Sequence, residues 1–271
     1  MRFARIKKQR ARKIKRLWLH VFLCTALAVG TMVHASAEAY SWYCVHAKDH
    51  QQPCADQPLL FAEKYGGYYI DHTHTSVNED DKVVYLTFDV GYENGNVAKI
   101  LDAMKAENVT GAFFVLGNVA VKNPALLKRM EAEGHLICNH TYSHRNMTGR
   151  TRDEVAAELQ KLETACTDKV GVTMSKYFRP PEGKFDQALL QHVQSLGYKT
   201  VFWSFAYADW DNGKQMSEGA ALNKIMENTH NGEVLLLHPT SATNAAIMQR
   251  VIQGLKAQGY RFGSLDELTE A

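Results

Sequence analysis

From Val83 to Phe262 the chain alternates short apolar runs with amphipathic stretches, and that alternation leaves few folds open. Val83 to Phe88, Ala112 to Leu116, His135 to Cys138, Lys176 to Phe178, Thr200 to Phe205, Val234 to Leu237 and Tyr260 to Phe262 read as strands. Between them, Asn96 to Glu107 reads as a helix that places Val97, Ile100, Leu101 and Met104 on one face. Asn123 caps a predicted helix that has Pro124 at its first position and Gly134 at its end. Thr151 and Glu154 form a capping-box pattern for a helix running to about Ala165, and Asp186 caps another that ends at Gly197. Further helices are expected over Ala220 to Thr229 and Asn244 to Ala257. Repeated strand-helix units with apolar strands imply an α/β fold, a parallel sheet covered by helices, either open or closed into a barrel.

Parallel barrels carry their chemistry at the carboxyl ends of the strands. Asp89, His140, Arg179, Asp209 and His238 all fall just after predicted strands, so one end of the sheet would gather them. Taken singly, each has a plain structural reading. Asp89 suits a turn-capping carboxylate, Arg179 a surface ion pair, and His238 a hydrogen-bonded core histidine. His140 and His144 are four positions apart, which puts two imidazoles on one side of a turn, although exposed pairs at this spacing are common. Together the residues offer a base, an arginine able to keep it ionised, two imidazole ligands, and a histidine with a carboxylate to hold its tautomer. Trp210 reads either as a wall of an acyl pocket or as a core tryptophan. His72 and His74 lie in a polar loop before the first strand and are expected to be solvent-exposed.

The first residues have a different character. Nine Lys or Arg and no acid precede an apolar run from Leu17 to Val33, which ends in Ala35-Ser36-Ala37. This is the layout of a secretory signal cut after Ala37, and an uncleaved membrane anchor is the alternative. The chain's 31 basic and 29 acidic residues give a net charge of +2, but all the acids lie beyond this segment, leaving the remainder at net −7. No basic stripe is left to recognise nucleic acid. Of the five cysteines, Cys44 and Cys54 are close in a loop-like stretch and are the plausible disulfide pair in an exported protein. Cys138 and Cys166 read as small buried residues. Tyr40 to Asp81 is aromatic, polar and irregular, with one short helix expected near Pro58 to Tyr65. The organisation expected is therefore a signal peptide at 1–37, an extension at 38–81 and a catalytic domain at 82–271.

Thr87-Phe88-Asp89-Val90-Gly91, His140-Thr141-Tyr142-Ser143-His144, Arg179-Pro180-Pro181, Asp209-Trp210 and Leu236-Leu237-His238 together resemble the five motifs of the polysaccharide deacetylases, the NodB-homology domains of carbohydrate esterase family 4. The resemblance covers roughly Lys82 to Leu268. It implies a distorted (β/α) barrel and metal-assisted hydrolysis of N-acetyl groups on amino-sugar polymers. The run from Thr87 to Gly95 is most similar to the delta-lactam-biosynthetic subgroup, which removes acetyl groups from muramic acid in peptidoglycan on the route to the muramic lactam of spore cortex.

Position by position, the resemblance implies Asp89 as general base held by Arg179, His140 and His144 as metal ligands, and His238 as the acid, oriented by Asp209. It also implies the Glu182 backbone N–H as oxyanion donor, with Tyr92, Trp210 and Leu236 lining the substrate pocket. One position departs from the pattern, because the family's metal-binding second aspartate is Val90 here. A divalent ion (zinc, manganese, magnesium or calcium) would then be weakly bound, completed by water and substrate or by a substitute such as Glu93 or Asp89. The function expected is an exported peptidoglycan de-N-acetylase whose partner is the glycan strand, with no protein partner inferable. The alternatives are a deacetylase of another N-acetylglucosamine polymer, or an inactive glycan-binding protein.

Overall fold

The computed structural model describes residues 38–75 and 80–270. The basic and apolar segment before Glu38, with its expected cleavage site at Ala37, lies outside the described residues. Among those that are described, no helix is long and apolar enough to cross a membrane.

Nine strands form one sheet: β1 (Gly67–Tyr68), β2 (Lys82–Val90), β3 (Ala112–Val115), β4 (Leu136–Asn139), β5 (Tyr177–Phe178), β6 (Lys199–Val201), β7 (Phe205–Ala206), β8 (Glu233–Leu237) and β9 (Tyr260–Phe262). Their order is β7-β8-β2-β3-β4-β5-β6-β1, with β9 also on β2, and every pairing is parallel. An antiparallel bridge from Ile70 to Glu233 ties the segment after β1 to the start of β8, so the strip curls back on itself. This is the α/β parallel sheet that the alternation predicts, curled into a distorted barrel.

The central strand β2 shows why the pattern works. Val84, Leu86, Phe88 and Val90 face the layer beneath the helices, while Val83 and Tyr85 face the inside of the curl with Phe114, Cys138 and Val201. Both faces are buried, so the strand is apolar at nearly every position. Beyond Lys82 at its start, the exceptions are Thr87 and Asp89, on the inner face and next to the carboxyl end.

The helices are α1 (Asn96–Ala106), α2 (Pro124–Ala132), α3 (Arg152–Thr164), α4 (Gln187–Ser195), α5 (Glu218–Asn228) and α6 (Ala242–Ala257), with shorter turns between. The capping box at Thr151 and Glu154 is formed, and the Asp186 side chain accepts from Leu189 N. Asn123 does not cap with its side chain; Pro124 and a backbone turn open α2 instead. The predicted strand Thr200 to Phe205 is broken into β6 and β7. The chain crosses from one edge of the sheet to the other there, with Phe202 N donating to Tyr68 O and Ser204 N to Val234 O.

The segment before β2 contributes core. Trp42 stacks on Phe202 with ring centroids 4.1 Å apart, and Trp42, Tyr69 and Ile70 share a cluster with Phe178, Phe185 and Leu189. The expected Cys44–Cys54 disulfide is absent, and both thiols are free. In the two-stranded ribbon they occupy, Cys44 faces Ala55 and Val45 faces Cys54, so adjacent pairs point to opposite sides. Cys44 is turned into the protein and Cys54 is exposed. His74 also departs from expectation. His72 is exposed, but the His74 side chain is only 15% exposed and sits between Asp71 Oδ2 at 2.7 Å and Asp81 Oδ2 at 3.0 Å. The carboxylates at 71 and 81 draw it in, which a polar loop composition does not reveal.

Candidate active site

At the carboxyl end of the sheet a cavity of about 720 Å³ is lined by Asp89, Tyr92, Leu116, His140, His144, Glu182, Trp203, Tyr207, Trp210, Leu236, His238 and Thr240, among others. The sequence places these residues far apart, and the parallel strands deliver them to one end.

Asp89 and Arg179 meet in the floor. Arg179 follows β5, is fully buried, and uses all three guanidinium nitrogens: Nη1 donates to Asp89 Oδ1 at 2.9 Å, Nη2 to Thr87 Oγ1 and Phe202 O, each at 2.9 Å, and Nε to Val201 O at 3.0 Å. Its guanidinium carbon lies 4.1 Å from the Phe114 ring centre. Thr87 Oγ1 donates onward to Leu235 O at 2.8 Å, fixing the fork's second acceptor. Burial alone would push the Asp89 carboxyl up, yet the His140 and Arg179 charges beside it carry it below the usual carboxylate range. Burial pushes His140 down to about 4, so His140 is neutral at pH 7 and Arg179 is the charge that acts on Asp89 there.

His140 and His144 lie edge to face with ring centroids 5.0 Å apart. His140 Nδ1 donates to Arg179 O at 2.9 Å, which fixes the tautomer and leaves Nε2 with a free lone pair, 3.5 Å from Asp89 Oδ2. His144 reaches the cavity from a left-handed backbone (φ 56°), its N–H held by Thr141 Oγ1 at 2.9 Å. Two imidazoles with a carboxylate beside them suit a divalent ion, but only as a two-histidine set. Among the described residues no group of three or more His, Cys, Asp or Glu side chains is gathered to hold one. Val90 is fully buried in the apolar layer under the helices. Glu93 does not replace it, because its carboxylate turns back to Gly95 N in its own loop.

Asp209 and His238 occupy the opposite wall. His238 Nδ1 donates to Asp209 Oδ1 at 2.7 Å, and His238 N donates to Oδ2 at 2.7 Å. Burial lowers the His238 imidazole's affinity for a proton, but the Asp209 hydrogen bond and charge outweigh it and the group ends above its ordinary value. The other ring nitrogen, Nε2, is left for the cavity. Trp210 is 61% exposed and its ring lies 6.0 Å from that of His238, so it belongs to the cavity mouth and not to the core. Tyr92, 43% exposed, forms another part of the mouth and accepts from Asn212 Nδ2 at 2.6 Å. Leu236 is a buried apolar part of the wall. Glu182 lines the cavity from a left-handed backbone (φ 58°) just after Pro180 and Pro181, its side chain paired with Lys184 at 2.5 Å.

Several residues around the site were not singled out by sequence reasoning. Trp203 and Tyr207 line the cavity, and Asn244, Gln215 and Ser241 tie its loops together. For Ser241 and Asn244 a signal was present: they stand at the expected start of α6, three residues apart, and Ser241 is its cap.

A curled parallel sheet with a buried Asp–Arg pair, two neighbouring histidines and an Asp–His pair around one cavity defines a hydrolase site of the carbohydrate deacetylase class. The polysaccharide deacetylase model matches residues 76–201. The chain is 38% identical to the peptidoglycan-N-acetylmuramic acid deacetylase PdaA of Bacillus subtilis over 93% of its own length and 95% of that protein. The solved structure of that protein, a family 4 carbohydrate esterase, superposes with a TM-score of 0.80, covering 86% of this chain and 97% of that one. A family 4 pseudoenzyme from Bacillus anthracis is also similar, at 26% identity and a TM-score of 0.66 over 75% of this chain and 68% of that one. This chain belongs to the polysaccharide deacetylase family.

Proposed function

We propose that the protein is an exported peptidoglycan de-N-acetylase, acting on N-acetylmuramic acid on the route to the muramic lactam. The observation that carries this reading is the pairing of two differently tuned groups across one cavity. An aspartate held anionic by Arg179 faces a histidine held ready for protonation by Asp209. Resemblance to the muramic acid deacetylase over nearly its whole length supports the sugar, and the basic and apolar leader supports export.

A divalent ion held by His140 and His144 would supply a Lewis acid for the water and the acetamide carbonyl. Asp89 accepts the proton of the attacking water. The Glu182 N–H, beyond two prolines that have no N–H of their own, donates to the developing oxyanion. His238 gives its proton from Nε2 to the departing nitrogen, and Asp209 keeps the ring's other proton on Nδ1. Trp210, Tyr92 and Leu236 enclose the acetyl group and the sugar.

Val90 supports one second reading, a glycan-binding protein without turnover. Acetate release from purified peptidoglycan, by protein stripped of metal and then titrated with zinc, manganese, magnesium or calcium, separates the two. Ion-dependent release establishes the deacetylase. Glycan binding with no release under any of these ions establishes the binding protein.

A further inference from the structure

Asp209 has a third partner that neither the motif resemblance nor the proposed mechanism uses. Asn244 is fully buried in the first turn of α6, and three of the four hydrogen-bonding valences of its amide are filled. Nδ2 donates to Asp209 Oδ2 at 2.6 Å and to His238 O at 3.2 Å. Oδ1 accepts from the hydroxyl of Tyr207, itself a wall of the cavity. The backbone N–H of Asn244 is fixed by the cap, donating to Ser241 Oγ at 3.0 Å. The Ser241 hydroxyl in turn donates to Gln215, whose Nε2 donates to Asp209 O at 2.9 Å.

The two bonds from His238 reach one carboxylate oxygen each, so they tie Asp209 to the histidine and to no other part of the scaffold. The amide of Asn244 takes a further lone pair of Oδ2 and anchors the pair to the start of α6, so Oδ1 stays in line with His238 Nδ1. The same amide holds the His238 carbonyl, so the ring and its partner are referenced to one rigid helix end. We propose that Asn244 is a positioning residue for the proton donor, locking Asp209 so that His238 keeps its Nδ1–H tautomer and presents Nε2 to the substrate nitrogen.

The inference rests on the reading of His238 as the acid. The test therefore has two separate readouts on the full chain. Asn244→Leu keeps the size of the side chain but removes the donor facing Asp209, and Asn244→Ala removes the side chain. Both variants are to be checked for folding by circular dichroism and thermal unfolding. His238 is then titrated by NMR of its ring nitrogens, and kcat and KM for acetate release are measured.

In both variants we expect His238 to lose its single tautomer and its titration to move down toward that of an ordinary histidine. We expect kcat to fall by roughly ten- to a hundred-fold with KM little changed. The other charges acting on His238 are Asp89, which raises it, and Arg179, which lowers it. Neither is bonded to Asn244, so the change would be carried by Asp209. A folded Asn244→Leu protein with wild-type His238 titration and kcat would overturn the proposal. Full activity in a folded His238→Ala protein would instead remove the acid reading, while the ring titration would still report whether Asn244 positions His238.

Discussion

Arg179 Nη1 lies 2.9 Å from Asp89 Oδ1 with the arginine side chain fully buried, so the anion in the cavity floor and its counter-charge are a single unit. Breaking one side of such a pair leaves a buried charge without compensation. Arg179→Ala is expected to destabilise the protein by about 3–5 kcal/mol and to raise the Asp89 titration. Arg179→Lys keeps the charge but cannot reach Asp89, Thr87, Val201 and Phe202 together, and should recover only part of the loss. Urea midpoints of the two variants check the order.

The His238 proton should set the alkaline limb of the activity profile. Its folded value is raised, so the protonated form persists above the ordinary histidine range and activity falls as pH climbs through the raised value. Asp209→Asn removes the charge that raises it, and the limb should move to lower pH while kcat drops by about 10⁴-fold, as in other carboxylate-oriented histidines. A profile of kcat against pH for the two proteins is the measurement. An unmoved limb would assign it to another group.

Glu233 opens β8 fully buried, with Oε1 unbonded, and burial pushes its carboxyl up to about 8. An acid raised in the folded state holds its proton there and loses it in the unfolded chain. Stability from this group is therefore intact below about pH 4.5 and declines as pH rises toward 8. Glu233→Gln should flatten that decline, giving a melting temperature that varies less between pH 5 and 8 than in the wild type.

With His140 and His144 the two histidines proposed for an ion, and no larger ligand cluster among the described residues, affinity should be low and the ion easily lost. Acetate release should stop in chelator and return with added ion. His144→Ala should weaken ion binding in calorimetry by at least tenfold while changing the melting temperature little, because His144 is exposed at the cavity edge. Val90→Asp puts a carboxylate into an apolar layer and should lower stability in chelator by several kcal/mol, or about 2–5. Recovery of that loss on adding ion would show that position 90 can reach it.

Thiol chemistry tests the ribbon at Cys44 and Cys54. With the two side chains on opposite faces, the native chain from Glu38 should react quickly with a thiol reagent at Cys54 alone, and at Cys44, Cys138 and Cys166 only on unfolding. A mass two hydrogens lighter, with Cys54 protected, would instead mean that the ribbon rearranges to close a disulfide.

Periodicity was legible because it is local. The apolar run at Val83 to Phe88, the face formed by Val97, Ile100, Leu101 and Met104, and the capping box at Thr151 each depend on residues a few positions apart, and the structure has them as expected. Boundaries were less so. The run from Thr200 to Phe205 looks continuous in sequence, but its two ends pair with opposite edges of the sheet, and only the closing of the curl breaks it.

By itself the sequence determined the parallel α/β architecture and the set of polar groups at its strand ends, because strand polarity alone sends the residues after each strand to the same end. Tertiary structure decided what those groups do to one another. The tautomer of His140 depends on the Arg179 carbonyl, 39 positions away, and the orientation of Asp209 on Asn244, 35 positions away. It also decided that Cys44 and Cys54 part and that His74 is drawn between Asp71 and Asp81. Hydrogen bonds and burial act over a few ångströms in space, and a one-dimensional pattern contains that proximity only where the chain neighbours are also the spatial ones.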